Sequence, residues 1–366
     1  MSSTSSATRA AFAAGSAAPT AARVTGPAAP VAPSSDPAGP GPTAAREGVL
    51  EWPGPFALQH GGSLPRARLA WRLVGAPGAP VVLVLGGISA HRHVAAEDGG
   101  WWPALVGAGR AVDTRRFRVL GIDWLGGSGD STGPARGQVD FPSVDAYDQA
   151  ELIARLVAAT GIGRLHAIVG ASYGGMVALA CAERRPAAVA RIVVVSAADR
   201  THPMSTARRC VQREIVRYAI AQGDGTAGLK LARALAMTTY RTPDEFAARF
   251  DAPAVRRGAA FRFPVEDYLY ARGDEYATRY VPEAFVCLSE SIDLHRVDAR
   301  GVRLPATLVA VRDDQLVPLA TMQSLAEAMP GARLHVIDSI YGHDAFFKEA
   351  DQLQPLFDAA LEGPAG

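Results

Sequence analysis

A serine framed by glycines, a late aspartate and a later histidine are the residues of this chain whose types and order suit nucleophilic catalysis. Gly170-Ala171-Ser172-Tyr173-Gly174 is a G-x-S-x-G pentapeptide. In that pattern a serine sits on a sharp turn between a strand and a helix, with its hydroxyl exposed above a sheet. A chain of 366 residues with 37 glycines also yields such a match by chance, and Gly129-Asp130-Ser131-Thr132-Gly133 is a second one. Context separates them. Ser172 follows the apolar run Leu165–Gly170 and precedes the helical pattern Gly175–Cys181, whereas Ser131 leads into Gly133-Pro134 and reads as a loop residue.

A serine hydroxyl is a weak nucleophile until a base, itself oriented by an acid, takes its proton. Around a nucleophile elbow the chain order is serine, then Asp or Glu, then His. Asp314 closely follows the apolar run Thr307–Val311, and His343 follows Arg333–Ile337. Asp313 is the competing acid, in which case Asp314 caps the helix that opens near Pro318. None of the other histidines follows the last run. Two backbone N–H groups should receive the oxyanion. One belongs to Tyr173, after the nucleophile. The other belongs to the loop Leu85-Gly86-Gly87-Ile88-Ser89, for which an ordinary tight turn is the competing reading.

The elements that must position these groups alternate along the chain. Predicted strands are Phe56–His60, Ala67–Val74, Val81–Gly86, Phe117–Ile122, Leu165–Gly170, Arg191–Ser196, Thr307–Val311 and Arg333–Ile337. The four from Val81 to Ser196 are continuous apolar runs, as strands buried on both faces should be. This argues for an α/β domain with a mostly parallel sheet flanked by helices. The first two strands flank Gly61-Gly62 and are expected to form a hairpin. Between Ser196 and Thr307 the alternation stops. Helical patterns over Thr206–Gln222, Gly228–Thr239, Pro243–Phe250 and Pro282–Asp293, with no convincing strand, predict a helical lid over residues 201–300 inserted into a core of 47–200 and 301–366. Residues 1–46, rich in Ala, Ser, Pro and Gly, read as a disordered extension, with a transit peptide or a poor signal peptide as competing readings.

Composition excludes several function classes. Lys plus Arg (37) balances Asp plus Glu (36), which removes the footprint of a dedicated nucleic-acid binder. Three cysteines without CxxC spacing argue against a zinc ribbon and a disulfide framework, and for a reducing, cytoplasmic setting. No run of 18 apolar residues marks a membrane helix, and no metal site is expected.

A triad of this kind fits esterases, peptidases, thioesterases and acyltransferases alike. Further stretches narrow the field: Leu125-Gly126-Gly127-Ser128-Gly129-Asp130-Ser131-Thr132-Gly133-Pro134, Phe141-Pro142-Ser143-Val144, Gly174-Gly175-Met176, Gln212-Arg213-Glu214-Ile215, Gly228-Leu229-Lys230-Leu231-Ala232-Arg233, Thr239-Tyr240-Arg241, Tyr268-Leu269 and Gly342-His343-Asp344-Ala345-Phe346-Phe347. Together they resemble the homoserine O-acyltransferases of the α/β-hydrolase superfamily, over roughly residues 50 to 350 and with the lid included. The resemblance implies the α/β-hydrolase fold and transfer of an acyl group from acetyl-CoA or succinyl-CoA to the side-chain hydroxyl of L-homoserine. That is a ping-pong step of methionine biosynthesis. It also implies acyl-CoA as co-substrate with no permanently bound cofactor, and a homodimer packed through the lid. Position by position, Ser172, Asp314 and His343 match the triad, Tyr173 and Ile88 the oxyanion donors, and Arg213 and Asp344 the pair that binds the amino acid. A zwitterionic acceptor needs one cation and one anion. The competing roles are a solvated helix charge for Arg213 and a helix-terminal carboxylate for Asp344.

The chain also departs from the family pattern. Gly86-Gly87-Ile88-Ser89-Ala90 stands where a His-Ala-Leu-Thr-Gly type of loop is usual, Asp267 where a serine is, and Asp123-Trp124 where a pair with Asn is. Such a divergent branch admits succinyl-CoA as donor, with Arg92 as a candidate cation for it, or serine as acceptor. The alternative of another chemistry class is an esterase with water as acceptor. A non-catalytic dimeric binding module that kept the fold is a further alternative.

Overall fold

The structure, a computed structural model, describes residues 45–362. Eight strands form its main sheet: β1 (Ala45–Trp52), β2 (Ala67–Gly75), β3 (Val81–Leu85), β4 (Arg118–Ile122), β5 (Ala167–Ala171), β6 (Ile192–Val195), β7 (Ala306–Val311) and β8 (Ala332–Ile337). Their spatial order is β1-β2-β4-β3-β5-β6-β7-β8. β1 and β2 pair antiparallel, as do β2 and β4, and every later pairing is parallel. The β3–β7 runs are Val, Ile, Leu and Ala with little else because both faces are covered. On β3, Leu83 and Leu85 join the layer that contains Leu152, Val177 and Met322. Val82 and Val84 point the other way, into a layer with Trp102, Phe346 and Phe357.

The expected hairpin around Gly61-Gly62 is smaller than read. Phe56–Ala57 pairs with Ser63–Leu64, and β2 takes β1 as its antiparallel partner instead. β1 escaped notice because its residues alternate between exposed and half-buried, with no buried face to mark them. It begins inside the stretch read as an extension; residues 1–44 of that stretch lie outside the described residues.

Helices α1 (Ala146–Ala159) and α2 (Tyr173–Arg184) cover one face of the sheet. Between β6 and β7 the chain runs through α3 (Pro203–Ala221), α4 (Gly225–Tyr240), α5 (Pro243–Phe250), α6 (Pro264–Ala277) and α7 (Pro282–Leu294). The sequence reading missed α6, whose start is set by Pro264 and by Glu266, which accepts the Phe263 N–H at 2.7 Å. It also missed a short hairpin, Val255–Arg257 with Ala260–Arg262, whose exposed residues carry no period. After β7 and β8 come α8 (Leu319–Ala328), α9 (Ala345–Lys348) and α10 (Ala350–Leu361).

The entry and exit of the helical excursion are tied together. Arg200 bridges Arg296 antiparallel, the Val297 N–H donates to Asp199 O at 2.9 Å, and His295 Nε2 lies 3.0 Å from Ala198 O. Among the described residues no helix is long and apolar enough to cross a membrane, and no cluster of His, Cys, Asp and Glu could hold a metal ion. Cys181, Cys210 and Cys287 are free.

His295 is 2% exposed, and burial pushes its pKa down from 6.5 to about 4. Its contribution to stability is therefore complete above 6.5, the unfolded value, and is lost as pH falls toward about 4. Calorimetric unfolding between pH 7 and pH 4 should show a midpoint that drops more steeply in the parent chain than in His295→Gln.

Candidate active site

Ser172 joins β5 to α2 with φ 55° and ψ −123°, a region that costs a non-glycine residue free energy. The turn closes because its neighbours lack side chains. A Cβ on Gly174 would lie 2.4 Å from the Leu85 carbonyl, and one on Gly170 2.3 Å from Gly174 O. The Gly174 N–H donates to Gly86 O at 2.8 Å, which fastens the elbow to the loop after β3. Tyr173 is buried, with its hydroxyl 2.7 Å from Ser291 Oγ and its ring edge-on to Trp124 at 4.9 Å.

His343 stands in a single turn, Gly342–Asp344, after β8. Its Nε2 is 2.9 Å from Ser172 Oγ, and its Nδ1 is 2.7 Å from Asp314 Oδ2. The second oxygen of Asp314 accepts the Leu316 and Val317 N–H groups at 2.8 and 2.9 Å, so its carboxylate is held from both sides. Asp313, the competing acid, is exposed, while Asp314 is 4% exposed. Burial disfavours the charged imidazole, but the adjoining Asp314 carboxylate outweighs it and holds the pKa of His343 above the ordinary 6.5.

The loop after β3 has its carbonyls engaged elsewhere. Gly86 O takes the Gly174 N–H, Gly87 O the Trp124 indole at 3.0 Å, and Ile88 O the Tyr280 hydroxyl at 2.7 Å. Among the described residues neither Tyr173 N–H nor Ile88 N–H meets a backbone carbonyl. Ile88 lines the same cavity as Ser172 and His343. The other serine motif is structural: Ser131 Oγ donates to Asp123 O and accepts the Ala70 N–H.

That cavity is lopsided in charge. Arg200, Arg208, Arg209 and Arg233 line it, and Asp344 is the one carboxylate among its lining residues. Arg213 does not line it. Its guanidinium is buried against Ser289 O and Asp293, whose other oxygen takes Arg209 at 2.6 Å. Arg92 does not line it either, and its guanidinium pairs with Asp123 and Asp130. Asp344 reaches the cavity with its Oδ2 on Arg241 Nε at 2.8 Å. Sequence reasoning missed Arg233 as a cavity residue, although it lies on the α4 stripe that buries Leu229 and Met237, an unusual place for a cation. It also missed Ser196, a buried cavity residue at φ 49° whose hydroxyl has no hydrogen-bond partner among the described residues, and no local pattern announces it.

This geometry can be set beside known proteins. Residues 80–350 match the family model described as the alpha/beta hydrolase fold. A homoserine O-succinyltransferase of Xanthomonas campestris pv. campestris is 47% identical over 83% of this chain and 81% of its own. The chain belongs to the homoserine O-acyltransferase family. A family relative from Litchfieldella anticariensis, a serine O-succinyltransferase, is 32% identical over 84% of this chain and 96% of its own. The solved homoserine O-acetyltransferase of Bacillus anthracis, at 17% identity, shares the fold with a TM-score of 0.79 over 88% of this chain and 99% of its own. Against the family pattern, the divergent Trp124 has a visible purpose here, since its indole fixes Gly87.

A base must be neutral to accept a proton, and the pKa of His343 lies above 6.5. Labelling of Ser172 by a fluorophosphonate should therefore fall off on the acid side with a midpoint above 6.5. In Asp314→Asn the midpoint should move down and the rate drop by orders of magnitude. Mass spectrometry of the labelled peptide against pH checks both.

Proposed function

We propose that the protein transfers a succinyl group from succinyl-CoA to the side-chain hydroxyl of L-homoserine through an acyl-Ser172 intermediate. The observation that carries this reading is the chain Ser172–His343–Asp314 opening into a cavity with four arginines and one carboxylate. A dicarboxylic acyl group and an amino-acid acceptor each bring a carboxylate, and each needs a cation in a site where water is scarce. The succinyl-transferring relatives support the same donor.

His343 Nε2 takes the Ser172 proton as Oγ attacks the thioester carbonyl, and the Tyr173 and Ile88 N–H groups receive the oxyanion. Collapse breaks the carbon–sulfur bond, and His343 passes its proton to the departing thiolate. Homoserine enters, His343 takes its hydroxyl proton, and the alkoxide attacks acyl-Ser172. The ester product leaves as the proton returns to Oγ. Asp344, steadied by Arg241, meets the acceptor's ammonium, and Arg209 meets its carboxylate. Arg213 acts at one remove, through the Asp293 carboxylate that the two arginines share. Arg233 faces the succinyl carboxylate. The helical segment 201–300 is the lid that keeps water from the acyl-enzyme. Its exposed Val211, Tyr218 and Leu231 suit a homodimer packed through these helices.

Free-thiol release should be measured with succinyl-CoA or acetyl-CoA, each with homoserine, serine or neither. Succinyl-CoA with homoserine should be fastest, and Ser172→Ala should lower turnover by ~10⁴ or more. Equal steady-state release without any amino acid would make the protein a hydrolase and overturn the reading. Faster release with serine would transfer it to that acceptor.

A further inference from the structure

A second cleft meets the catalytic cavity at Arg233, Asp344 and Phe347, which line both. The cleft belongs to α4, α5, α6 and the segment Tyr341–Lys348 on either side of His343, and its charge is one-sided. Arg241, Arg249, Arg272 and Lys348 join Arg233 in its walls, against the carboxylates of Glu245 and Asp344.

Those two carboxylates are already committed. Glu245 holds Arg249 at 2.7 Å and Arg241 at 3.3 Å, and Asp344 holds Arg241 at 2.8 Å. Arg272 pairs with the exposed Glu275, outside the lining. Neither Arg233 nor Lys348 makes an ion pair among the described residues. Gathering like charges around one cleft destabilises a fold unless an anion joins them.

The cations surround two flat rings. Arg249 lies 4.6 Å and Arg272 5.9 Å from the Tyr268 ring, while Arg241 lies 5.2 Å and Lys348 6.0 Å from the Tyr341 ring. A polyanion that also carries an aromatic base matches this pattern, its phosphates on the cations and its base against a tyrosine. Asp344 adjoins His343 in sequence, so the cleft begins at the base of the triad.

We propose that this cleft binds the 3′-phosphorylated ADP portion of the acyl-CoA donor, with Arg249, Arg272 and Lys348 on its phosphates. The pantetheine arm then passes Arg233 to bring the thioester to Ser172. The assignment rests on the acyl-CoA reading above, and it adds the place where donor and protein recognise each other by charge.

Arg272 and Lys348 are exposed, so replacing them leaves the packing intact. In Arg272→Ala/Lys348→Ala, KM for succinyl-CoA should rise by about tenfold or more, the scale of one or two lost charge-assisted hydrogen bonds. The kinetic constants for the succinyl thioester of pantetheine, which lacks the nucleotide, should hold. Dephospho-CoA thioester, which lacks the 3′-phosphate, should show a smaller rise. Equal rises with CoA and pantetheine thioesters, or no rise with either, would overturn the proposal. Calorimetry with adenosine 3′,5′-bisphosphate separates this from a failure of the activity reading. Binding to the parent chain that is lost in the double variant upholds the cleft even if no thioester is turned over. Absent or unchanged binding refutes it.

Discussion

The left-handed backbone at Ser172 is the constraint around which the molecule is arranged. A serine at φ 55° stays there only if its surroundings supply more stabilisation than the roughly 1–3 kcal/mol such strain costs. The β6 backbone pins it on one side through Ser172 N–H on Val195 O, and the Gly86 carbonyl holds the following turn on the other. Tyr173, buried behind the turn, anchors the start of α2 to α7 through Ser291. The strain that exposes the nucleophile thus also sets how closely β3, β5 and α2 approach, and with them the loop that carries Ile88.

Much of this was legible in the sequence because it obeys local rules. Continuous apolar runs marked the parallel strands, and strand–turn–helix context separated Ser172 from Ser131. Chain order then picked out Asp314 and His343, which the fold brings within hydrogen-bonding distance of one another and of Ser172. What escaped depends on contacts distant in sequence. β1 exists because β2 offers it an edge, and Ser196 faces the cavity because β6 ends beside β5. Arg213 matches a family pattern in one dimension, yet its guanidinium lies behind Asp293, and Arg209, one helical turn earlier, is the one that lines the cavity.

Charge is unevenly placed in a chain that is nearly neutral overall. A surface ion pair contributes little, but arginines in a partly enclosed cavity act through a lower dielectric and are felt more strongly. α3 and α4 deliver Arg208, Arg209 and Arg233, Arg200 comes from the segment leading into α3, and the ends of the sheet strands deliver the nucleophile and base. Most of the cavity's positive charge and its Ser172–His343–Asp314 chain therefore come from different parts of the molecule, with Asp344 beside His343 as the point where they meet.

The tied neck of the helical excursion has a consequence for how such a protein can diverge. With Ala198, Asp199 and Arg200 clasped to His295, Arg296 and Val297, the two ends of the excursion remain together whatever lies between them. Insertions, deletions and altered side chains within it need not disturb the register of β6 with β7. Inheritance can then rewrite the helical walls of the cavity in one contiguous block of sequence, while the strained serine and its partners are passed on unchanged.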